Sequence, residues 1–117
     1  MNLNLNRKGI MDIRKRHWKI VGSITRPTIL EIEHANNPTL ATDIVSKFTP
    51  EKACAVLDKM SPLGAAFVLC ILRTRAKDGD EYAKSVIALA EQLQITGIKG
   101  LCAARDEMYR LTGVFIA

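Results

Sequence analysis

The sequence predicts an all-α protein, a compact stack of about five to seven short helices. All four prolines, at positions 27, 38, 50 and 62, precede apolar residues with helical spacing, and proline is favoured in the first turn of a helix. From residue 37 onward these starts recur every 12 residues. With only 7 glycines in 117 residues, the chain also has few of the turn-forming residues that a turn-rich β fold needs.

Three segments of 12 residues share one register from residue 37 to residue 72. Asn37, Thr49 and Ser61 precede the prolines, and such side chains cap helix N-termini. The shared apolar positions follow the spacing i, i+3, i+4 and i+7 of a helix face that packs on a core. They are Ala41, Ile44, Val45 and Phe48; Ala53, Val56, Leu57 and Met60; and Ala65, Val68, Leu69 and Leu72. A weaker copy precedes them at 26–36, and helices this short need one another for stability.

The remaining residues fit around this repeat as a single domain, since a chain of this length builds one core. Residues 1–9 are polar and lack a helical period, which predicts a flexible tail before a helical domain at 10–117. Within that domain we predict a basic amphipathic helix at 10–24, the short helical repeats at 27–77 and two closing helices at 80–112. The apolar tail at 114–117 either packs back on the domain, which we favour, or docks on a partner.

The repeat resembles the short helical repeats in the cytoplasmic N-terminal domain of MgtE-type magnesium transporters. It is also similar to the related repeats of FliG-type flagellar motor switch proteins. The likeness rests on the pattern P-x-x-A-x-x-[VL]-L-x-x-[LM] and covers residues 37–72, about a third of the chain. It implies a right-handed superhelix of short helices used for protein contacts or regulation. We find no acidic cluster in this sequence to carry over as magnesium ligands.

Residues with the usual chemistry of catalytic or metal sites are few and scattered. The two histidines, His17 and His34, lack partners at the spacing of a zinc or nucleophilic site. Cys54, Cys70 and Cys102 are odd in number, lie among apolar neighbours and form no CxxC pair. We therefore predict that the protein is not an enzyme, uses no cofactor or metal, and keeps its cysteines reduced in the core.

Two features predict a cytoplasmic protein. The longest apolar run, residues 63–72, is too short to span a bilayer, which takes about 20 residues. The N-terminus has cations where the apolar centre of a signal peptide would lie.

Positive charge is concentrated in the first part of the chain. The whole chain carries 17 Lys and Arg against 12 Asp and Glu, a formal net charge of +5. Residues 1–26 have a local charge of +6, whereas residues 27–117 are near neutral at −1. Such an asymmetry indicates an anionic partner.

The candidate binding residues lie in the basic helix and combine several cations with the single tryptophan of the chain. They are Arg14, Lys15, Arg16, Trp18 and Lys19, with Arg7, Lys8, Arg73, Arg75 and Lys77 as an extension if the fold brings these near. On an acidic protein such a helix docks into a groove. On nucleic acid the cations neutralise phosphates and the indole stacks on a base.

We predict a non-enzymatic interaction module, a subunit or regulator of a larger assembly, that binds an acidic protein partner through this helix. The alternative is a nucleic-acid-binding regulator or accessory protein that contacts the phosphate backbone of DNA or RNA. A peripheral membrane protein is the least favoured class, and a homo-oligomer stays open. The remaining alternative is that the helix has no binding role: its apolar side packs on the rest of the domain, and its cations form only a solvated face.

Overall fold

A computed structural model describes residues 3–35, 37–95, 106, 109 and 110, with the side chains of the first helix described from residue 12 onward. Between residues 3 and 95 the chain forms six helices, and the described residues include no strand. The helices are α1 (Leu3–Ser23), α2 (Arg26–Glu33), α3 (Pro38–Val45), α4 (Pro50–Lys59), α5 (Pro62–Lys77) and α6 (Glu81–Leu93). The predicted all-α class is confirmed.

The prolines of the repeat begin helices through the predicted capping. The side chains of Asn37, Thr49 and Ser61 each accept a hydrogen bond from the backbone N–H three residues further on, at 2.7, 3.3 and 3.3 Å. These bonds satisfy donors that the first turn of a helix leaves without a partner. The weaker copy also forms a helix, but its N-cap residue Thr25 makes no such bond.

The predicted apolar faces of the repeat form the core. All four shared positions of the second copy, in α4 and at Met60 just after it, are buried, and so are all four of the third copy, in α5. In the first copy Ala41 and Val45 are buried, while Ile44 and Phe48 are half-buried against the same cluster. Helix α5 packs against α3, α4 and α6, and α4 packs in turn against α1 and α6. Helices α4 and α5 are therefore the centre of the stack, and α1 covers one side of it.

Side chains from distant helices form hydrogen bonds with backbone groups at two helix ends. The hydroxyl of Tyr82 on α6 donates a hydrogen bond to the carbonyl oxygen of Phe48 at 2.7 Å and lies 3.2 Å from that of Val45. Glu33 Oε1 accepts a hydrogen bond from the backbone N–H of Ser61 at 2.8 Å. Both contacts occupy backbone groups that helix termini leave open, and they tie α3 to α6 and α2 to α5.

The two ends of the chain depart from the sequence-based picture in different ways. Helix α1 begins at Leu3, so it includes residues 3–9, for which the sequence predicts a tail without helical period; the flexibility of that tail stays a prediction. No proline precedes residue 27, and a helix that is already nucleated extends at little cost per residue. The first closing helix corresponds to α6. Of the second, only Asp106, Tyr109 and Arg110 are described, all helical, and the tail at 114–117 lies outside the described residues.

None of the helices in the described part of the chain combines the length and the apolar character that crossing a membrane requires.

Two weak acids of raised pKa, the buried thiol of Cys54 on α4 and the half-buried hydroxyl of Tyr82 on α6, interact with each other. Burial, and to a smaller extent the charge of Asp58, raises the pKa of the Cys54 thiol from 9.0 to about 12. Burial, followed by the charges of Cys54 and Asp80, raises the pKa of Tyr82 from 10.0 to about 12. Both groups therefore keep their protons in the folded protein at pH values where the unfolded chain loses them.

We expect the free energy of unfolding to fall as the pH rises from about 9 towards 12. Below pH 9 both groups are protonated in both states, so their contribution is fully present there. Above it the unfolded chain ionises first, which favours unfolding. Urea unfolding followed by far-UV circular dichroism at several alkaline pH values measures this. A Cys54→Ala/Tyr82→Phe variant should lose most of the dependence; an unchanged dependence would contradict the assignment.

Candidate binding interface on the first helix

One side of α1 is fixed on α4 by a buried polar contact. His17 is only 5% exposed, and its Nε2 lies 2.7 Å from Oδ2 of Asp58. Ile13, Ile20 and Val21 on the same side of the helix are half-buried. Because this side is occupied, the rotation of α1 about its own axis is set, and so is the side that faces solvent.

A second contact holds the C-terminal end of α1. Lys59, the residue after Asp58 on α4, donates hydrogen bonds from Nζ to the carbonyl oxygens of Ile24 at 2.7 Å and Val21 at 3.3 Å. A cation is favourable there because carbonyl groups at the end of a helix carry partial negative charge. Two adjacent residues of α4 therefore bind α1 at two points.

The opposite side of α1 is a solvent-exposed surface that we call the basic face, formed by Arg14, Lys15, Trp18 and Lys19. At about 100° per residue, these four side chains are neighbours around the helix. Trp18 is 61% exposed, and its ring meets the buried His17 ring edge-on, with centroids 5.5 Å apart. The basic face therefore presents three cations around an exposed indole, and the indole ring contacts the fixed side chain of His17.

Arg16 does not belong to this face, although the sequence places it among the candidate residues. It lies on the other flank of α1, where its Nη1 is 3.9 Å from Oε1 of Glu51. There it borders a cavity between α1, the start of α4 and α6. At about 100° per residue, Arg16 is separated by about 160° from Arg14 but by only about 60° from Lys19. Arg16 therefore lies at the border between the basic face and this cavity.

One cation of the predicted extension is paired with an acid on another helix. Arg75 Nη2 donates a hydrogen bond to Oδ1 of Asp43 at 2.8 Å, which ties it to α3. Arg73 and Lys77 are exposed on the same end of α5, and no described hydrogen bond or ion pair joins them to α1. The side chains of Arg7 and Lys8 lie outside the described ones.

The residues that position the basic face were not found by sequence reasoning. Asp58, Lys59 and Glu51 all lie on α4, and the contact of Asp58 with His17 spans 41 positions of the chain. One signal was present, because a histidine on the apolar face of an amphipathic helix needs a polar partner when it is buried. The identity of that partner depends on how α1 and α4 pack.

The arrangement supplies charge and an exposed aromatic ring. Within the described residues, no three His, Cys, Asp or Glu side chains are grouped closely enough to hold a metal ion. Cys54 and Cys70 are both buried. No protein-family model, curated protein or solved structure matches the chain, so the resemblance of residues 37–72 to MgtE-type and FliG-type repeats stays a prediction.

Proposed function

We propose that this protein is a non-enzymatic helical interaction module, a subunit or regulator within a larger cytoplasmic assembly. Its basic face binds an acidic segment of a partner protein. The observation that supports this most is the contrast between the two sides of α1. His17 and the aliphatic residues are held on α4, while Trp18 is 61% exposed among three cations.

Exposure of a large indole favours a binding surface over a merely solvated helix. Tryptophan and arginine are the residue types that most often dominate protein–protein binding energy. A ring of cations around such an anchor speeds encounter with an acidic partner and disfavours basic ones. The resemblance of the repeat to helical modules that make protein contacts is consistent with the same role.

Nucleic acid is the second candidate, and Trp18 is the observation that favours it. An exposed indole beside Arg14 and Lys15 is able to stack on an unpaired base while the cations neutralise phosphates. A membrane surface has less support. Interfacial helices bury a broad apolar face, whereas Trp18 is the only large apolar side chain among the described residues of the basic face.

A photo-crosslinking amino acid in place of Gly22, which is exposed on α1 one turn after Trp18 and where an added Cβ meets no atom within 4 Å, tests the proposal in cells that make the protein. We expect a discrete adduct that protease removes and nuclease leaves intact, and that mass spectrometry identifies as an acidic protein segment. The same amino acid at Leu63, which is 52% exposed on α5, is the control and should give no such adduct. A nuclease-sensitive adduct would instead establish the second candidate, and absence of any adduct would refute both.

A synthetic peptide of the cross-linked segment then measures the role of charge. We expect the variant Arg14→Gln/Lys15→Gln/Lys19→Gln to weaken its binding at least tenfold, about 1.4 kcal/mol or more. The matched control is Arg73→Gln/Lys77→Gln/Lys84→Gln, which removes one arginine and two lysines from exposed positions of α5 and α6. Equal weakening by both variants would show that net charge, rather than the basic face, determines binding.

A further inference from the structure

The flank of α1 next to the basic face borders an apolar cavity of about 120 Å³. Ile13 and Ile20 of α1 form one wall, and Leu89 and Leu93 of α6 form the other. All four side chains are half-buried. An apolar cavity of about 150 Å³ holds a benzene ring, so this one is of the size that accepts an aliphatic side chain.

A charged pair stands at the mouth of this cavity and is loosely held. Arg16 and Glu51 are 3.9 Å apart, with side chains 66% and 53% exposed. Exposed ion pairs of this kind contribute little to the free energy of unfolding. Glu51 also lies in the first turn of α4, where the helix N-terminus favours an acid by itself. A carboxylate from outside is therefore able to replace Glu51 as the partner of Arg16 at small cost.

We propose that this cavity is a second contact for the same acidic partner, which inserts a leucine-sized side chain between α1 and α6 and places a neighbouring carboxylate on Arg16. The inference rests on the proposed function and adds the chemistry of the partner segment: acids that run along α1 and an aliphatic anchor beside them. Four aliphatic side chains line the cavity together with His17, Arg16 and Glu51, and the charge of Arg16 beside the aliphatic walls is the feature that selects an acidic, amphipathic occupant.

Two synthetic peptides of equal charge test this directly. Both consist of glutamate and alanine, and one carries a single central leucine where the other has alanine. We expect the leucine peptide to bind about tenfold more tightly, as measured by the fluorescence of Trp18, the only tryptophan of the chain. It should also shift the methyl NMR signals of Leu89 and Leu93, which the alanine peptide leaves in place.

A variant that fills the cavity provides the matched comparison. Leu89→Phe should abolish the preference for the leucine peptide, whereas Leu63→Phe, the same change at an exposed position of α5, should keep it. Equal binding of both peptides to the parent protein would overturn the inference and leave the proposed function intact. Binding of neither peptide would overturn the inference together with the proposed function.

Removing Glu51, the acid that competes with the peptide for Arg16, provides an independent test. Glu51→Gln should tighten binding of the leucine peptide severalfold, because Arg16 then has no partner to exchange. Glu91→Gln is the control, since residue 91 is rotated by about 200° from both leucines of the cavity wall. Equal tightening by both substitutions would mean that the effect comes from net charge and would contradict a role for Arg16 at the cavity.

Discussion

We expect Leu69→Asp to unfold the protein. Leu69 is fully buried on α5, the helix that packs against α3, α4 and α6. The substitution removes an aliphatic side chain, which costs about 2–5 kcal/mol for a truncation at such a site. It also buries a carboxylate for which the surrounding aliphatic side chains offer no partner. Together these costs reach the total stability of a small domain, about 5–15 kcal/mol.

The same helix provides a matched control for this result. Leu63→Asp introduces the same charge on α5 at a side chain that is 52% exposed, and surface substitutions of this kind change stability by about 0.5 kcal/mol or less. Far-UV circular dichroism and urea unfolding distinguish the two variants. If Leu69→Asp were as stable as the parent, α5 would not be core, and the proline-started repeat would be the wrong account of this fold.

The repeat could be predicted because its determinants are local. A capping side chain such as Asn37, Thr49 or Ser61 acts on a backbone group three residues away, and the core stripe needs only the period of a helix. The end of α5 is local in the same sense. Gly79 has a φ of 99°, a conformation that glycine adopts without a steric penalty, and it lies where the sequence predicts the end of that helix.

Other helix ends are completed by contacts that no local pattern contains. Tyr82 reaches Phe48 across 34 positions, and Glu33 reaches Ser61 across 28. The sequence indicates that carbonyl and N–H groups at helix ends need partners, but the packing of the helices decides which side chain supplies them. Lys59 is the same case, since its bonds to the end of α1 depend on the docking of α1 on α4.

The candidate interface was predictable in its composition and less so in its geometry. The cluster of cations with Trp18 is visible in the sequence, and its exposure agrees with the expected amphipathic helix. The helical period separates Arg16 from Arg14, but only the tertiary structure shows that Arg16 meets Glu51 at a cavity. Arg75 was a candidate because of its charge alone, and in the folded protein it forms an ion pair with Asp43.

The second large effect concerns the buried pair that fixes α1. We expect Asp58→Ala to lower the free energy of unfolding by about 2–3 kcal/mol, because a buried group without its hydrogen-bond partner is costly. His17 Nδ1 is already buried with no hydrogen-bond partner among the described residues. Without Asp58, the Nε2 atom would lose its 2.7 Å contact as well, and the favourable response is for α1 to move away from α4.

Asp43→Ala is the matched control, since it also removes an aspartate from a side-chain contact between helices. Asp43 is 54% exposed and pairs with Arg75 at 2.8 Å, and exposed pairs contribute about 1 kcal/mol or less. Urea unfolding measures both costs, and the fluorescence anisotropy of Trp18 reports the mobility of α1. Anisotropy should fall for Asp58→Ala and stay unchanged for Asp43→Ala. Equal costs with unchanged anisotropy would mean that α4 does not position the basic face through His17.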